Sequence, residues 1–148
     1  MSLAALDTNV LVYAEHVNGA ARREQAIDLV ARLSPDATFI PAQALAELFH
    51  VLTRKAGWGH ERAGQAVLAW GDAFPIIDTS SSVLLSALTL SRDHHLGVWD
   101  AVIMAAASEA RCRVLLSEDL QDGFSWSGVT VVNPFASEPN PLLERLAG

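Results

Sequence analysis

Four acidic residues lie where the residue pattern changes from strand-like to helix-like, or within a helix-like segment. Asp7 follows a short apolar run, Glu47 lies in AELFHVLTRK, Asp100 is the only charged residue in VWDAVIMAAA, and Asp119 lies in VLLSEDLQDG. A carboxylate at such a position can cap a helix, face solvent, bind a metal ion or act in catalysis. Taken singly, each acid is explained at least as well by capping or solvation. A function for them depends on whether the fold brings them together.

The hydrophobic pattern alternates short apolar runs with segments of helical periodicity. The apolar runs predict strands over residues 3–6, 38–40, 74–77, 114–116 and 129–132. The periodic segments predict helices over residues 10–15, 20–33, 41–56, 61–73, 82–91 and 98–110, the first of them capped by Thr8 or Asn9. Short buried strands that alternate with helices favour a parallel sheet covered on both faces. The predicted fold class is therefore α/β, a single domain over residues 1–148 built as a three-layer α/β/α sandwich around a short, mostly parallel sheet.

In an open parallel sheet the functional crevice lies beyond the carboxyl ends of the strands, which is where this pattern places the four acids. Several carboxylates within a few ångströms of one another cannot all stay ionised without a cation. A hard divalent ion relieves that repulsion, and Mg²⁺ or Mn²⁺ suits a site of carboxylate and water ligands. Such an ion activates water and stabilises the charge that builds up during phosphodiester hydrolysis.

Composition limits the classes of protein that the chain can belong to. It has 148 residues, of which 51% are hydrophobic, and a net charge of −7. No apolar stretch approaches the ~20 residues of a membrane span, no signal peptide is evident, and the single Cys112 allows no intrachain disulfide. These features predict a cytoplasmic protein.

The negative net charge argues at first against a nucleic-acid partner, because phosphate binding normally needs a basic surface. The charges are unevenly distributed, however, and residues 19–62 form a slightly basic segment. Its cations are Arg22, Arg23, Arg32, Arg54, Lys55 and Arg62. A basic rim on an acidic protein is therefore compatible with the sequence, as is an ordinary solvated surface.

Other hydrolase and nucleotide-binding classes fit the residues less well. A haloacid-dehalogenase-type phosphatase needs a second Asp where this chain has Asn9, and both that class and phospho-receiver domains need a downstream lysine. Lys55 is the only lysine, and it lies at the end of a predicted helix. The chain has no Gly-Lys phosphate loop and no GxSxG nucleophile, and its five histidines lack zinc-site spacing.

The order and spacing of the acids resemble those of the PIN domain, in particular the PIN-domain toxins of the VapC type. The resemblance rests on Asp-Thr-Asn after the first strand, on Glu47, on WDAVIMAAA, on Ser-Glu-Asp after VLL, and on the final GVTVVNPF, and it extends over residues 7–135. It implies an α/β/α sandwich and a Mg²⁺-dependent endoribonuclease, often the toxin of a type II toxin–antitoxin pair and usually a homodimer. Carried over to this chain, it implies that the catalytic acids are Asp7, Glu47, Asp100 and Asp119, with Asp7 and Asp100 as metal ligands.

The resemblance also implies supporting residues around these acids. Asn9 and Ser117 would orient the acids through hydrogen bonds. Glu118 and Asp122 flank Asp119 closely, so either could be the fourth acid in its place. The expected partners are an RNA substrate and a cognate antitoxin protein. Two alternatives remain, namely an RNA-processing nuclease without an antitoxin and a non-catalytic module that binds RNA or protein. The intact set of acids weighs against the non-catalytic module.

Two apolar helical stretches are candidates for a dimer surface. One is the predicted helix 61–73, with Val67, Leu68 and Trp70, and the other is VLLSALTL in the predicted helix 82–91. Both stretches could equally face the core of a single subunit.

Overall fold

The computed structural model describes residues 2–17, 19–138 and 140–147. Within those residues six strands form one sheet, in the order β3-β2-β1-β4-β6-β5. Neighbouring strands are parallel except for β5 and β6, which are antiparallel. The strands are β1 (Ala4–Leu6), β2 (Thr38–Pro41), β3 (Ile76–Ile77), β4 (Val114–Leu116), β5 (Ser125–Trp126) and β6 (Val129–Val132). The fold is thus the predicted α/β type with a mostly parallel central sheet.

Seven helices occur in the same described residues, and those between the parallel strands cover the sheet. They are α1 (Thr8–Ala14), α2 (Ala20–Arg32), α3 (Ala42–Arg54), α4 (His60–Ala73), α5 (Ser81–His94), α6 (Val98–Glu109) and α7 (Pro141–Ala147). The chain reverses its direction across the sheet after β3, because β4 lies beyond β1. Helix α6 packs on β2, β4 and β6 and against α5, and α3 packs on β2 and against α1 and α4.

The centre of the molecule is almost purely apolar. Every residue of β1 and of β4 is buried, as expected for strands covered on both faces. Helix α6 is buried continuously from Ala101 to Ala107, so its sequence is apolar all round and shows little helical periodicity. These three elements form a rigid base for the residues that follow β1 and β4 and begin α6.

The first helix begins earlier than predicted, and a different residue caps it. Helix α1 starts at Thr8, and the N-cap is Asp7 instead of Thr8 or Asn9. Asp7 is in an extended conformation, and its side chain accepts a hydrogen bond of 2.7 Å from the backbone N–H of Thr8. The carboxylate that follows β1 therefore also satisfies a donor at the helix N-terminus.

Two elements were not predicted from the sequence. Strand β5 pairs with β6 through Ser127 and Gly128, and both residues have positive φ, which is the backbone geometry of a type I′ hairpin turn. Helix α7 begins after Asn140, whose side chain accepts a hydrogen bond from the backbone N–H of Leu142. Its three leucines pack against the core from the end of the chain.

Across the described part of the chain, no helix combines the length and the apolar character needed to cross a membrane.

Candidate active site

Asp7 lies at the junction of β1 and α1 and is almost completely buried, with 3% of its surface exposed. Its backbone N–H donates to the Leu116 carbonyl at 3.0 Å, which fixes the end of β1 against β4. One carboxylate oxygen, Oδ1, accepts from the backbone N–H of Thr8. The other oxygen, Oδ2, accepts a 2.7 Å hydrogen bond from the Ser117 hydroxyl. The position of this carboxylate is thus determined by contacts from two neighbouring strands.

Asn9 and Ser117 join α1 to the loop after β4. The Asn9 side-chain amide donates to Asp7 Oδ2 and to Ser117 Oγ, both at 3.3 Å, and its carbonyl oxygen accepts from the backbone N–H of Glu118 at 3.0 Å. The Ser117 hydroxyl also accepts from the backbone N–H of Leu120. Both residues therefore contact Asp7, which is the arrangement expected of residues that orient a functional carboxylate.

Burial changes the acid strength of Asp7. Loss of solvent contact raises the pKa of this carboxyl from 3.8 to about 6, even though the hydrogen bonds from Ser117 and Thr8 oppose the shift. The negative charges of Asp100 and Asp119 make a smaller contribution to the same rise. A carboxylate that remains buried at this energetic cost is a frequent feature of functional sites.

Glu47 and Asp100 are half-buried and belong to the same electrostatic cluster. Burial is the main reason that the pKa of Glu47 is raised, and the charges of Asp7 and Asp100 add to the effect. The pKa of Asp100 is raised by burial and then by the charge of Asp119. Thr8 donates its hydroxyl to Glu47 Oε2 at 3.3 Å, which links Glu47 to the residue beside Asp7. Helix α3, which carries Glu47, packs against both α1 and α6.

The three acids after β4 have different surroundings. Asp119 is exposed, and its charge acts on both Asp7 and Asp100. Glu118 instead accepts hydrogen bonds from the Tyr13 hydroxyl and from Arg22 Nε, the latter at 2.8 Å. Asp122 accepts from the backbone N–H of Asn133 at 3.0 Å and caps that loop. Of the three, Asp119 is the one whose charge acts on the cluster.

An open cavity of about 370 Å³ lies beside the acids, between α1 and α3. Thr8, Glu47 and Asp119 line it toward the carboxyl edge of the sheet, and His50 and Lys55 line it farther along α3. The residue pattern alone does not predict this cavity. Glu47 and His50 are three residues apart and so are neighbours on one helix face, and Lys55 is the C-cap residue of the same helix.

The donor set suits a hard divalent cation, because it consists of carboxylate oxygens supported by hydroxyl and amide groups. Among the described residues, no three His, Cys, Asp or Glu side chains are arranged to hold an ion together as they stand. Asp7 is held by hydrogen bonds to its backbone and to both carboxylate oxygens, whereas Asp119 is exposed on a loop. Closer convergence on an ion would therefore come from side-chain rotation of the more exposed acids toward Asp7.

The chain belongs to the PIN-domain family, whose family model matches residues 4–124. PIN domains are in general divalent-metal-dependent nucleases. No curated protein sequence matches the chain significantly.

Several solved structures share this fold. A toxin–antitoxin complex from Klebsiella pneumoniae is 22% identical, with a TM-score of 0.67, covering 89% of this chain and 98% of the other. FitAB bound to an IR36 DNA fragment is 20% identical, with a TM-score of 0.68 and coverage of 93% and 99%. VapC20 of Mycobacterium tuberculosis, described as a sarcin–ricin loop cleaving toxin, is 19% identical, with a TM-score of 0.66 and coverage of 78% and 89%. At these identities the likeness establishes the fold alone.

Proposed function

We propose that this chain is a Mg²⁺- or Mn²⁺-dependent endoribonuclease and the toxin of a type II toxin–antitoxin pair. The observation that carries the proposal is the cluster of Asp7, Glu47, Asp100 and Asp119, whose charges act on one another at one edge of the sheet. None of the ion pairs among the described residues involves these four acids. The cluster therefore has no cation of its own to relieve its repulsion, and a bound metal ion would supply one.

In the proposed site, Asp7 and Asp100 bind the ion, while Glu47 and Asp119 complete the acidic surface around it. The ion would supply a water of lowered pKa and positive charge for the phosphate in phosphodiester hydrolysis. Ser117 and Asn9 keep the Asp7 carboxylate in one orientation, so that little reorganisation accompanies metal binding. Single-stranded or looped RNA is the substrate class that an open cavity of this kind accommodates.

The proposed partners are a cognate antitoxin and a second copy of this chain. An acidic crevice attracts a basic segment when no metal is bound, and the structurally similar assembly from Klebsiella pneumoniae is a toxin–antitoxin complex. For the homodimer, the supporting feature is a row of exposed leucines on α5, formed by Leu84, Leu85 and Leu88. The proposed place of action is the cytoplasm.

The nuclease proposal is tested with purified protein and a loop-containing RNA in the presence of Mn²⁺. We expect cleavage that EDTA abolishes and that Asp7→Asn or Asp100→Asn nearly eliminates. The double variant should be little worse than either single one, because groups that act as a unit are not additive. Asp72→Asn, an exposed substitution on α4, is the matched control and should retain full activity. Cleavage that persists in EDTA would overturn the metal-dependent mechanism.

The toxin proposal has its own test, which does not depend on the cleavage assay. The chain is expressed alone and then together with the small DNA-binding protein encoded directly upstream, where one exists. We expect growth arrest in the first case, and in the second normal growth with co-elution on gel filtration that high salt weakens. A protein that cuts RNA but neither arrests growth nor binds the neighbour would be an RNA-processing nuclease instead.

A further inference from the structure

The cavity beside the acids continues along α3 to Lys55, beyond the residues that the proposed hydrolysis uses. Glu47 and Lys55 lie on the same helix face, about 12 Å apart along the axis at 1.5 Å per residue. His50 lies between them and also lines the cavity. The wall of the cavity therefore changes from anionic at the acid cluster to cationic at the end of α3.

Three of the six cations of the basic segment have their charge used within the fold, whereas Lys55, like Arg23 and Arg54, takes part in no ion pair or cation–aromatic contact among the described residues. Arg22 pairs with Glu118, Arg32 pairs with Asp28, and Arg62 lies over the ring of Trp58 at 3.7 Å. Lys55 takes part in none of the ion pairs found among the described residues, and its side chain is exposed. It is also the only lysine in the chain.

A simpler role for Lys55 is electrostatic stabilisation of the C-terminus of α3, where it is the C-cap residue. Arg54 precedes it in the last turn and can supply the same stabilisation, but Arg54 does not line the cavity. The two residues thus carry the same charge at the same helix end, and only Lys55 faces the space beside the acids. A comparison of Lys55 with Arg54 therefore distinguishes stabilisation of the helix from contact with a ligand in the cavity.

We propose that Lys55 binds a backbone phosphate of the RNA next to the phosphate that is cut, and so directs the strand along α3 into the acid cluster. The inference rests on the proposed ribonuclease function and names a substrate-binding residue for it. A lysine ammonium contacts phosphate as a compact point charge, without reading the base. It would also offset part of the repulsion between the RNA and an otherwise acidic cavity.

The test compares Lys55→Gln with Arg54→Gln and Lys55→Arg, using a short mixed-sequence single-stranded RNA and Mn²⁺. For Lys55→Gln we expect KM to rise about two- to fivefold while kcat is almost unchanged, as for loss of one screened charge contact. The slope of log(kcat/KM) against log[salt] should become shallower by about 0.7, the value for one phosphate on a single strand. The loss should be the same for RNAs of different sequence, because a phosphate contact is not base-specific.

Arg54→Gln should leave KM and the salt slope close to those of the unaltered chain, and Lys55→Arg should retain most of the affinity. The stabilisation of the fold by Mn²⁺ should be equal in all three variants, which shows that the acid cluster is intact. If Lys55→Gln matched Arg54→Gln in KM and in salt slope, or lowered kcat alone, the role of Lys55 would be wrong while the ribonuclease proposal stood. An unaltered chain that cuts no RNA at all would remove both proposals together.

Discussion

The hydroxyl of Ser117 donates a 2.7 Å hydrogen bond to Oδ2 of Asp7, although the two residues are 110 positions apart in the chain. Both are buried, and they follow the neighbouring parallel strands β4 and β1. Asn9 donates to both of them, so the three side chains form one closed hydrogen-bonded group. Removal of the Ser117 hydroxyl should therefore change the surroundings of the Asp7 carboxylate and leave the surface of the cavity unaltered.

Ser117→Ala should weaken metal binding while leaving the fold intact. The hydrogen bond from Ser117 lowers the pKa of Asp7, so its loss raises that pKa further and disfavours the carboxylate form. Loss of such a supporting contact typically reduces metal affinity about 10- to 100-fold. Titration of the melting temperature with Mn²⁺ measures this affinity, with Ser82→Ala, an exposed serine on α5, as the control. An unchanged Mn²⁺ midpoint would show that Ser117 does not support the metal site.

Asp7→Asn should stabilise the metal-free protein at neutral pH. Because burial raises the pKa of Asp7 to about 6 from 3.8, the folded state binds more protons than the unfolded state between these values. The free energy of unfolding therefore falls as the pH rises through this window. Above the window, the buried charge of Asp7 lowers it by the full amount of about 3 kcal/mol. We expect Asp7→Asn to raise the free energy of unfolding by about 1–3 kcal/mol at pH 7.5, and to have little effect near pH 3.5.

Urea unfolding in EDTA at the two pH values measures this difference. Asp72→Asn on the exposed side of α4 serves as the control, since a substitution at an exposed position usually changes the free energy of unfolding by less than about 0.5 kcal/mol. Destabilisation by Asp7→Asn at pH 7.5 would mean that the hydrogen bonds of Asp7 stabilise the fold more than burial of its charge destabilises it.

Single amide substitutions should distinguish the three acids that follow β4. Asp119→Asn should reduce the rise in melting temperature caused by Mn²⁺, because the charge of Asp119 acts on Asp7 and Asp100. Glu118→Gln should leave the Mn²⁺ effect unchanged and lower stability in EDTA by about 1 kcal/mol, since it removes a partly exposed ion pair with Arg22. Asp122→Asn should also leave the Mn²⁺ effect unchanged. If Glu118→Gln reduced the rise in melting temperature caused by Mn²⁺ and Asp119→Asn did not, Glu118 would be the fourth acid of the site.

Leu85→Lys should dissociate the proposed homodimer. Leu85 is 64% exposed on α5, beside Leu84 and Leu88, and a lysine there would place charge in the centre of the apolar row. Analytical ultracentrifugation should show a dimer for the unaltered chain and a monomer for the variant, each over a range of concentrations. Ile27→Lys, which replaces an exposed apolar residue on α2, should not change the mass. A monomer for the unaltered chain would contradict the dimer.

Sequence patterns predicted the central part of the fold well because burial there is uniform. The bounds of β4 and β6 agree with the prediction, and α6 was recognised from an apolar run that only a covered helix can carry. In contrast, β5 has only two residues, and its strand conformation depends on pairing with β6 across a turn at Ser127 and Gly128. So short a strand has no periodicity of its own to detect.

The clustering of the acids was predictable from topology, but their individual surroundings were not. Parallel strands bring residues after β1 and β4 to one edge, which explains why Asp7 and Ser117 meet. Glu118 and Asp119 are adjacent in sequence and have different partners, and the difference arises from Tyr13 and Arg22, about a hundred positions earlier. Contacts of this kind depend on side-chain packing, to which a sequence pattern is insensitive. The roles assigned to the four acids remain predictions that the metal and activity measurements address.

The position of β1 between β2 and β4 determines when the site can form during protein synthesis. Asp7 leaves the ribosome about 110 residues ahead of Ser117, an interval of roughly 6 to 20 s at typical rates of translation. Throughout that time the first strand lacks its neighbour β4, and Asp7 lacks the hydroxyl that orients it. The proposed nuclease would therefore lack a complete site during that interval. A proposed antitoxin that is synthesised earlier would be present to bind the acid cluster as soon as the cluster assembles.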